Sequence, residues 1–238
     1  SETGSLASRI ANLFMTEIVS QATHGIDLHT GAIHRANLPQ IRANLDDEAT
    51  AELARAFGTP VILNAAIRPG TLRAAATGRV PVLVYEAGEA LRLDELAIRG
   101  GVNGIVRVMR KLDMLPPSRR RTTSPEPVIA RSSSWVRAPQ SGILRTFARQ
   151  GERVKRDETL LGIVSDPYGE HEHEIRSPFN GIVIGKLNLP LVNEGDAVYH
   201  VARFHRSDIA ADRIEDYHEA LEAPDYPYPD DSHTDETV

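Results

Sequence analysis

The sequence predicts an α/β domain of helices layered on a sheet, followed by a small all-β domain. Three observations carry this reading. Apolar strands alternate with amphipathic helical stretches up to about residue 115. A proline-, serine- and arginine-rich stretch, PPSRRRTTSPEPVIARSSS, follows over 116–134. Beyond it the chain repeats itself. The 238 residues therefore divide into a layered domain (1–115), a linker (116–134), a β domain (135–205) and an acidic tail (206–238).

In the first stretch, SLASRIANLFMTEIVSQA places Leu6, Ile10, Leu13, Phe14 and Ile18 at helical spacing behind an N-cap candidate, Ser5, and predicts an amphipathic helix packed on a sheet. GIDLHT follows as a strand. LDDEATAELARAFG is a second helix, opened by acidic residues and closed by Gly58, with PVILNAA as a short apolar strand behind it. TLRAAATG is a brief helix. VPVLVYEAG is a nearly continuous apolar strand that runs out at Glu86 and Gly88, and LDELAIRGGVNGIVRVMRKLDML is a long helix. This alternation predicts a sheet buried on both faces, with charge only at the strands' C-terminal ends.

In the β segment, VRAPQSGIL recurs as IRSPFNGIV: Arg137, Pro139, Gly142 and Ile143 return 39 residues later as Arg176, Pro178, Gly181 and Ile182. Further on, Val154, Leu160 and Ile163 align with Val192, Val198 and Val201. The apolar positions alternate, so the halves are short-stranded and imply pseudo-twofold symmetry.

Composition removes several function classes. With no cysteine, disulfides and thiolate zinc sites are excluded, and any metal must be held by His, Asp or Glu. The same usage suits the cytoplasm. No apolar run approaches the roughly 20 residues that span a bilayer, and SETGSLASRI lacks a signal-peptide layout. The net charge of -6 comes from the tail, where residues 206–238 hold eleven acidic side chains against Arg206 and Arg213. That composition predicts disorder after a short helix near Ile209 to Leu221. The basic run Arg119-Arg120-Arg121 is too short to indicate nucleic acid, so neither nucleic acid nor a membrane is an expected partner. The oligomeric state stays open, a homo-oligomer included.

The stretch THGIDLHTG puts Asp27 and His29 two apart, hence on one face of a strand just before Gly31 breaks it. Two readings are open: a histidine satisfied by its neighbour, or a metal-binding imidazole with a carboxylate supporting it from behind.

The duplicated segment resembles the barrel-sandwich fold of biotinyl and lipoyl carrier domains. In those carriers the hairpin between the halves presents a modified lysine. Here that hairpin is SDPYGEHEHE (165–174), and the chain's lysines are Lys111, Lys155 and Lys186. Swinging-arm carriage is therefore disfavoured. The hairpin is expected to be a solvated turn or to line the mouth of an active site.

DLHTG, then NLPQIR, then PVLVYEAGEA, then GIVRVMRKLDML resemble in order the succinylglutamate desuccinylase/aspartoacylase family, relatives of the zinc carboxypeptidases, over roughly residues 4 to 115. The resemblance implies a partial zinc-carboxypeptidase-like α/β/α layer domain joined to an all-β barrel-sandwich hybrid domain. It implies Zn2+ as cofactor, His29 as the third zinc ligand with Asp27 supporting it, and Glu86 as general base. It also implies an N-acyl amino acid as substrate, whose carboxylate needs a guanidinium: Arg73 by its place before the Glu86 strand, Arg68 as second candidate. The family's upstream His-x-x-Glu ligands and Asn-Arg pair do not occur ahead of His29. The expectation is a C-terminal portion of a zinc-dependent deacylase, inactive alone. The competing expectation is a non-catalytic binding or association module.

Overall fold

A computed structural model describes residues 2–118 and 126–223. The Arg119–Arg121 run and residues 224–238 of the acidic tail lie outside the described residues. Helix α1 (Leu6–Glu17) is capped by Ser5, whose hydroxyl accepts the Ser8 N–H at 3.3 Å. A 3-10 turn leads into β1 (Gly25–Gly31), and β2 (Arg35–Ala43) follows. Helix α2 (Glu48–Phe57) starts where the Asp47 carboxylate accepts the Thr50 N–H at 2.9 Å. It stops at Gly58, whose φ of 80° is the left-handed conformation that glycine adopts without strain. Then come β3 (Val61–Asn64), α3 (Leu72–Ala76) with Thr71 as its cap, β4 (Val82–Glu89) and α4 (Glu95–Lys111), capped by Asp94. Among the described residues no helix is long and apolar enough to cross a membrane.

Strand β2 is absent from the sequence reading, and its residues explain why. Pro39 lacks an N–H and argues against a central strand. The chain accommodates it at a register shift between Asn37 and Gln40, where β2 pairs antiparallel with β4. On its other side β2 runs parallel to β3, and β1 runs parallel to β4 at the sheet's edge.

Helix α1 does not pack on the sheet as its periodicity predicts. It has no buried residue, and Leu6, Ile10, Leu13, Phe14 and Ile18 are 42–71% exposed. Its attachment runs through Met15, which packs on Val19, Ala76, Val80 and Val82. Periodicity shows that a helix has an apolar face, not what covers it. Leu13→Ser is accordingly expected to change unfolding free energy by less than about 0.5 kcal/mol in urea denaturation. A loss of 2 kcal/mol or more, roughly that of a buried leucine, would mean the stripe is covered in solution.

The expected linker carries structure. Within 116–134, Val128–Ala130 forms β5, parallel to β3, and Ser132 opens β6 (Ser132–Arg137). The remaining strands are β7 (Gly142–Thr146), β8 (Arg153–Val154), β9 (Leu160–Ser165), β10 (Glu172–Arg176), β11 (Gly181–Leu187), β12 (Leu191–Val192) and β13 (Ala197–Arg203). The duplication is visible in their pairing. One repeat is β6 to β9 and the other β10 to β13, and the neighbour order β8-β11-β13-β6 in one sheet matches β12-β7-β9-β10 in the other. Leu144, Leu161 and Val164 from one sheet and Val183, Val198 and Val201 from the other share a core, and the Tyr199 hydroxyl crosses it to donate to the Leu161 carbonyl at 2.6 Å.

Strand β11 also pairs antiparallel with β2, so one nine-stranded sheet runs from β1 through β4, β2, β11 and β13 to β6. The tail begins with α5 (Ser207–Glu222), the helix expected near Ile209 to Leu221 and slightly longer at both ends. Its Ala210, Ile214, Tyr217 and Leu221 are buried at helical spacing. A Cβ at Gly100 of α4 would collide with the Tyr217 hydroxyl, so that glycine lets α5 approach closely.

Candidate active site

The parallel pairing of β1 and β4 sets His29 opposite Glu86 and Asp27 opposite Val84. Register partners point to one face, so Asp27, His29 and Glu86 emerge together where both strands end. Asp27 Oδ2 lies 3.1 Å from His29 Nε2, which orients the ring; the imidazole is half exposed. On the other flank of β4, β2 places Gln40 opposite Glu86 and Arg42 opposite Val84. Arg42 Nε stands 2.8 Å from Glu86 Oε1, and Asn37 Nδ2 donates to Glu86 Oε2 at 3.0 Å.

Asp27, His29, Arg42 and Glu86 line a cleft of about 340 Å³. Arg73 enters it from α3, held by a 2.8 Å bond from Nη2 to the Ala65 carbonyl; burial and then the Arg42 charge lower its pKa. Arg68 enters from the preceding loop, pinned by the Thr71 hydroxyl donating to its carbonyl at 2.7 Å. Three guanidiniums against the carboxylates of Asp27 and Glu86 make the cleft net positive in a chain of net charge -6, an arrangement suited to a small anion. Ser132 and Ser133 of β6 close the far wall. Along the same sheet, His200 stacks on Trp135 at 4.6 Å, and burial together with the Arg42 charge pushes its pKa down to about 4, so it is neutral at physiological pH.

All five sequence-derived candidates, Asp27, His29, Arg68, Arg73 and Glu86, thus meet in one cleft. The 165–174 hairpin does not contribute to its lining; Tyr168 is 89% exposed, and the turn is closed by Asp166, which accepts from the N–H groups of Tyr168 and His171. The His171 bond holds the Asp166 carboxyl below the usual range. Arg42 and Asn37 went unread, because NLPQIRA was not recognised as a strand, and His200 lies on β13, where the repeat marks only apolar positions. Once NLPQIRA is read as a strand, period two sets Gln40 and Arg42 on the Glu86 side.

A catalytic zinc takes three protein ligands. Among the described residues no group of three His, Asp or Glu side chains could hold a metal ion, so Asp27 and His29 alone do not fit a resident zinc.

Fold and cleft define an α/β protein with a strand-end site. Residues 3–112 match the family model of the Succinylglutamate desuccinylase/Aspartoacylase catalytic domain. Among solved structures, the apo ectoine utilization protein EutE (DoeB) from Ruegeria pomeroyi superposes with a TM-score of 0.75 at 20% identity, covering 85% of this chain and 67% of its own. A succinylglutamatedesuccinylase/aspartoacylase from Rhodobacter sphaeroides gives 0.74 at 22%, covering 86% and 65%. An aspartoacylase family protein from Mesorhizobium loti gives 0.67 at 15%, covering 83% and 68%. At these identities the likeness shows the fold, and the chain spans about two thirds of each relative. No curated protein matches the chain.

Proposed function

We propose that the chain carries the reaction cleft of a succinylglutamate desuccinylase/aspartoacylase-type hydrolase that cleaves the amide of an N-acyl amino acid. The observation that carries this is the register of β1 on β4, which sets the Asp27–His29 pair against Glu86 at the mouth of a net-positive cleft. Glu86 is the general base, taking a proton from water and delivering it to the leaving amine. Arg73, with Arg68 beside it, meets the substrate carboxylate. His29 is the metal-side group and Asp27 its support. The family match supports this reading, as does the fold shared with the succinylglutamatedesuccinylase/aspartoacylase from Rhodobacter sphaeroides. Hydrolysis of a panel of N-acyl amino acids, followed by amine release, tests it; no turnover of any member with added zinc in protein supplied with the missing donors would reject it.

Zinc dependence belongs to the proposal and needs two donors besides His29, from outside residues 2–118 and 126–223. Purified 238-residue chain dialysed against a weak chelator is therefore expected to retain well under one zinc per molecule. Stoichiometric zinc by metal analysis would contradict this and point to the His171 and His173 hairpin. The twin four-strand orders support a barrel-sandwich unit without a carrier lysine, fused by β11 to the catalytic sheet. One observation favours a second reading, an association module: the uncovered apolar stripe of α1.

A further inference from the structure

Glu86 stands in the cleft with both oxygens engaged, Oε1 against Arg42 and Oε2 by Asn37. With the Arg42 guanidinium packed on one oxygen and the Asn37 amide bonded to the other, neither is open to a water whose proton it would take. The Arg42 contact is ionic rather than a directed bond: Nε is 2.8 Å from Oε1, yet its N–H is not aimed at any acceptor. Among the described residues Arg42 has no ion pair besides Glu86, and its two terminal nitrogens, the fork that grips carboxylates, make no hydrogen bond there. The side chain remains about a quarter exposed, on the cleft wall, near enough to Arg73 for its charge to lower that residue's pKa.

We propose that Arg42 is a specificity-determining residue shared between Glu86 and an anionic ligand: it clamps Glu86 in the empty cleft and turns its free fork to a ligand carboxylate when one binds, releasing Glu86. Asn37, 9% exposed and fixed on β2, keeps the carboxylate in place during the exchange. A ligand with two carboxylates gains most, one for Arg73 and one for Arg42. The inference rests on the cleft being the substrate site but not on turnover or zinc.

A double-mutant cycle in zinc-free buffer tests it, with succinate as the dicarboxylate probe, acetate as the monocarboxylate, calorimetry as the readout and circular dichroism as the check on folding. Arg42→Gln is expected to weaken succinate about tenfold and acetate little. Glu86→Gln is expected to tighten succinate about fivefold by freeing the guanidinium, and that gain should vanish in the double variant. Arg42→Lys, which keeps the charge and loses the fork, should fall between wild type and Arg42→Gln. A gain that persists without Arg42 would mean a general field effect and overturn the latch. So would unchanged affinity in Glu86→Gln, or no succinate binding to the wild-type chain. Absent hydrolysis with an intact cycle would reject the deacylase reading alone, and a flat cycle with normal hydrolysis would reject the latch alone.

Discussion

Glu86→Gln lowers kcat by about 10²–10⁴-fold in protein that hydrolyses N-acyl amino acids, the range by which a positioned acid–base group contributes. Glutamine keeps the side chain's length, and its amide oxygen can still accept from Asn37, so the strand end and the cleft's shape are preserved. What disappears is the proton acceptor. Steady-state kinetics with folding checked by circular dichroism measures this. Near-normal turnover would remove Glu86 from the chemistry, and a loss of folding would make it a structural ion-pair partner of Arg42.

Phe57→Ala costs about 3–5 kcal/mol of unfolding free energy, a large share of the 5–15 kcal/mol typical of a domain. Phe57 ends α2 at 1% exposure, its ring 5.1 Å from that of Tyr85. Gly104 of α4 lies so close to the Phe57 ring that any Cβ there would overlap it, so the pocket is shaped around the phenyl group and cannot readily collapse onto alanine. Tyr85 precedes Glu86 on β4 and donates to the Ala97 carbonyl at 2.8 Å; the Phe57 cluster therefore holds the strand that carries Glu86. Urea denaturation measures the effect. A loss below 1 kcal/mol would contradict this account of the core.

What the sequence disclosed was local. Asp47 and Gly58 bound α2, Asp94 starts α4, and the duplicated Pro-x-x-Gly pattern anticipates paired strand orders, because caps, turns and repeats are written in neighbouring residues. The Asp27–His29 pair was legible because period two is obeyed within one strand. Non-local facts were not. The apolar stripe of α1 reads as core, yet nothing among the described residues covers it. The triplet Val128–Ala130 looked like linker because a three-residue strand has no periodicity of its own and exists by pairing with β3. Arg42 was hidden behind Pro39, which disguises β2, although the register of β2 on β4 is what brings its guanidinium to Glu86.

The central claim is that the strand-end cleft binds an N-acyl amino acid. Titrating an N-acetyl amino acid into isotope-labelled chain, with backbone amide shifts as the readout, tests it without requiring zinc or turnover. The account predicts that the largest shifts fall on His29 and Thr30, on Glu86 and Ala87, on Arg42 and across 64–73, with the 165–174 hairpin unmoved. Shifts centred on the hairpin or on the α1 stripe, with the strand ends silent, would contradict it.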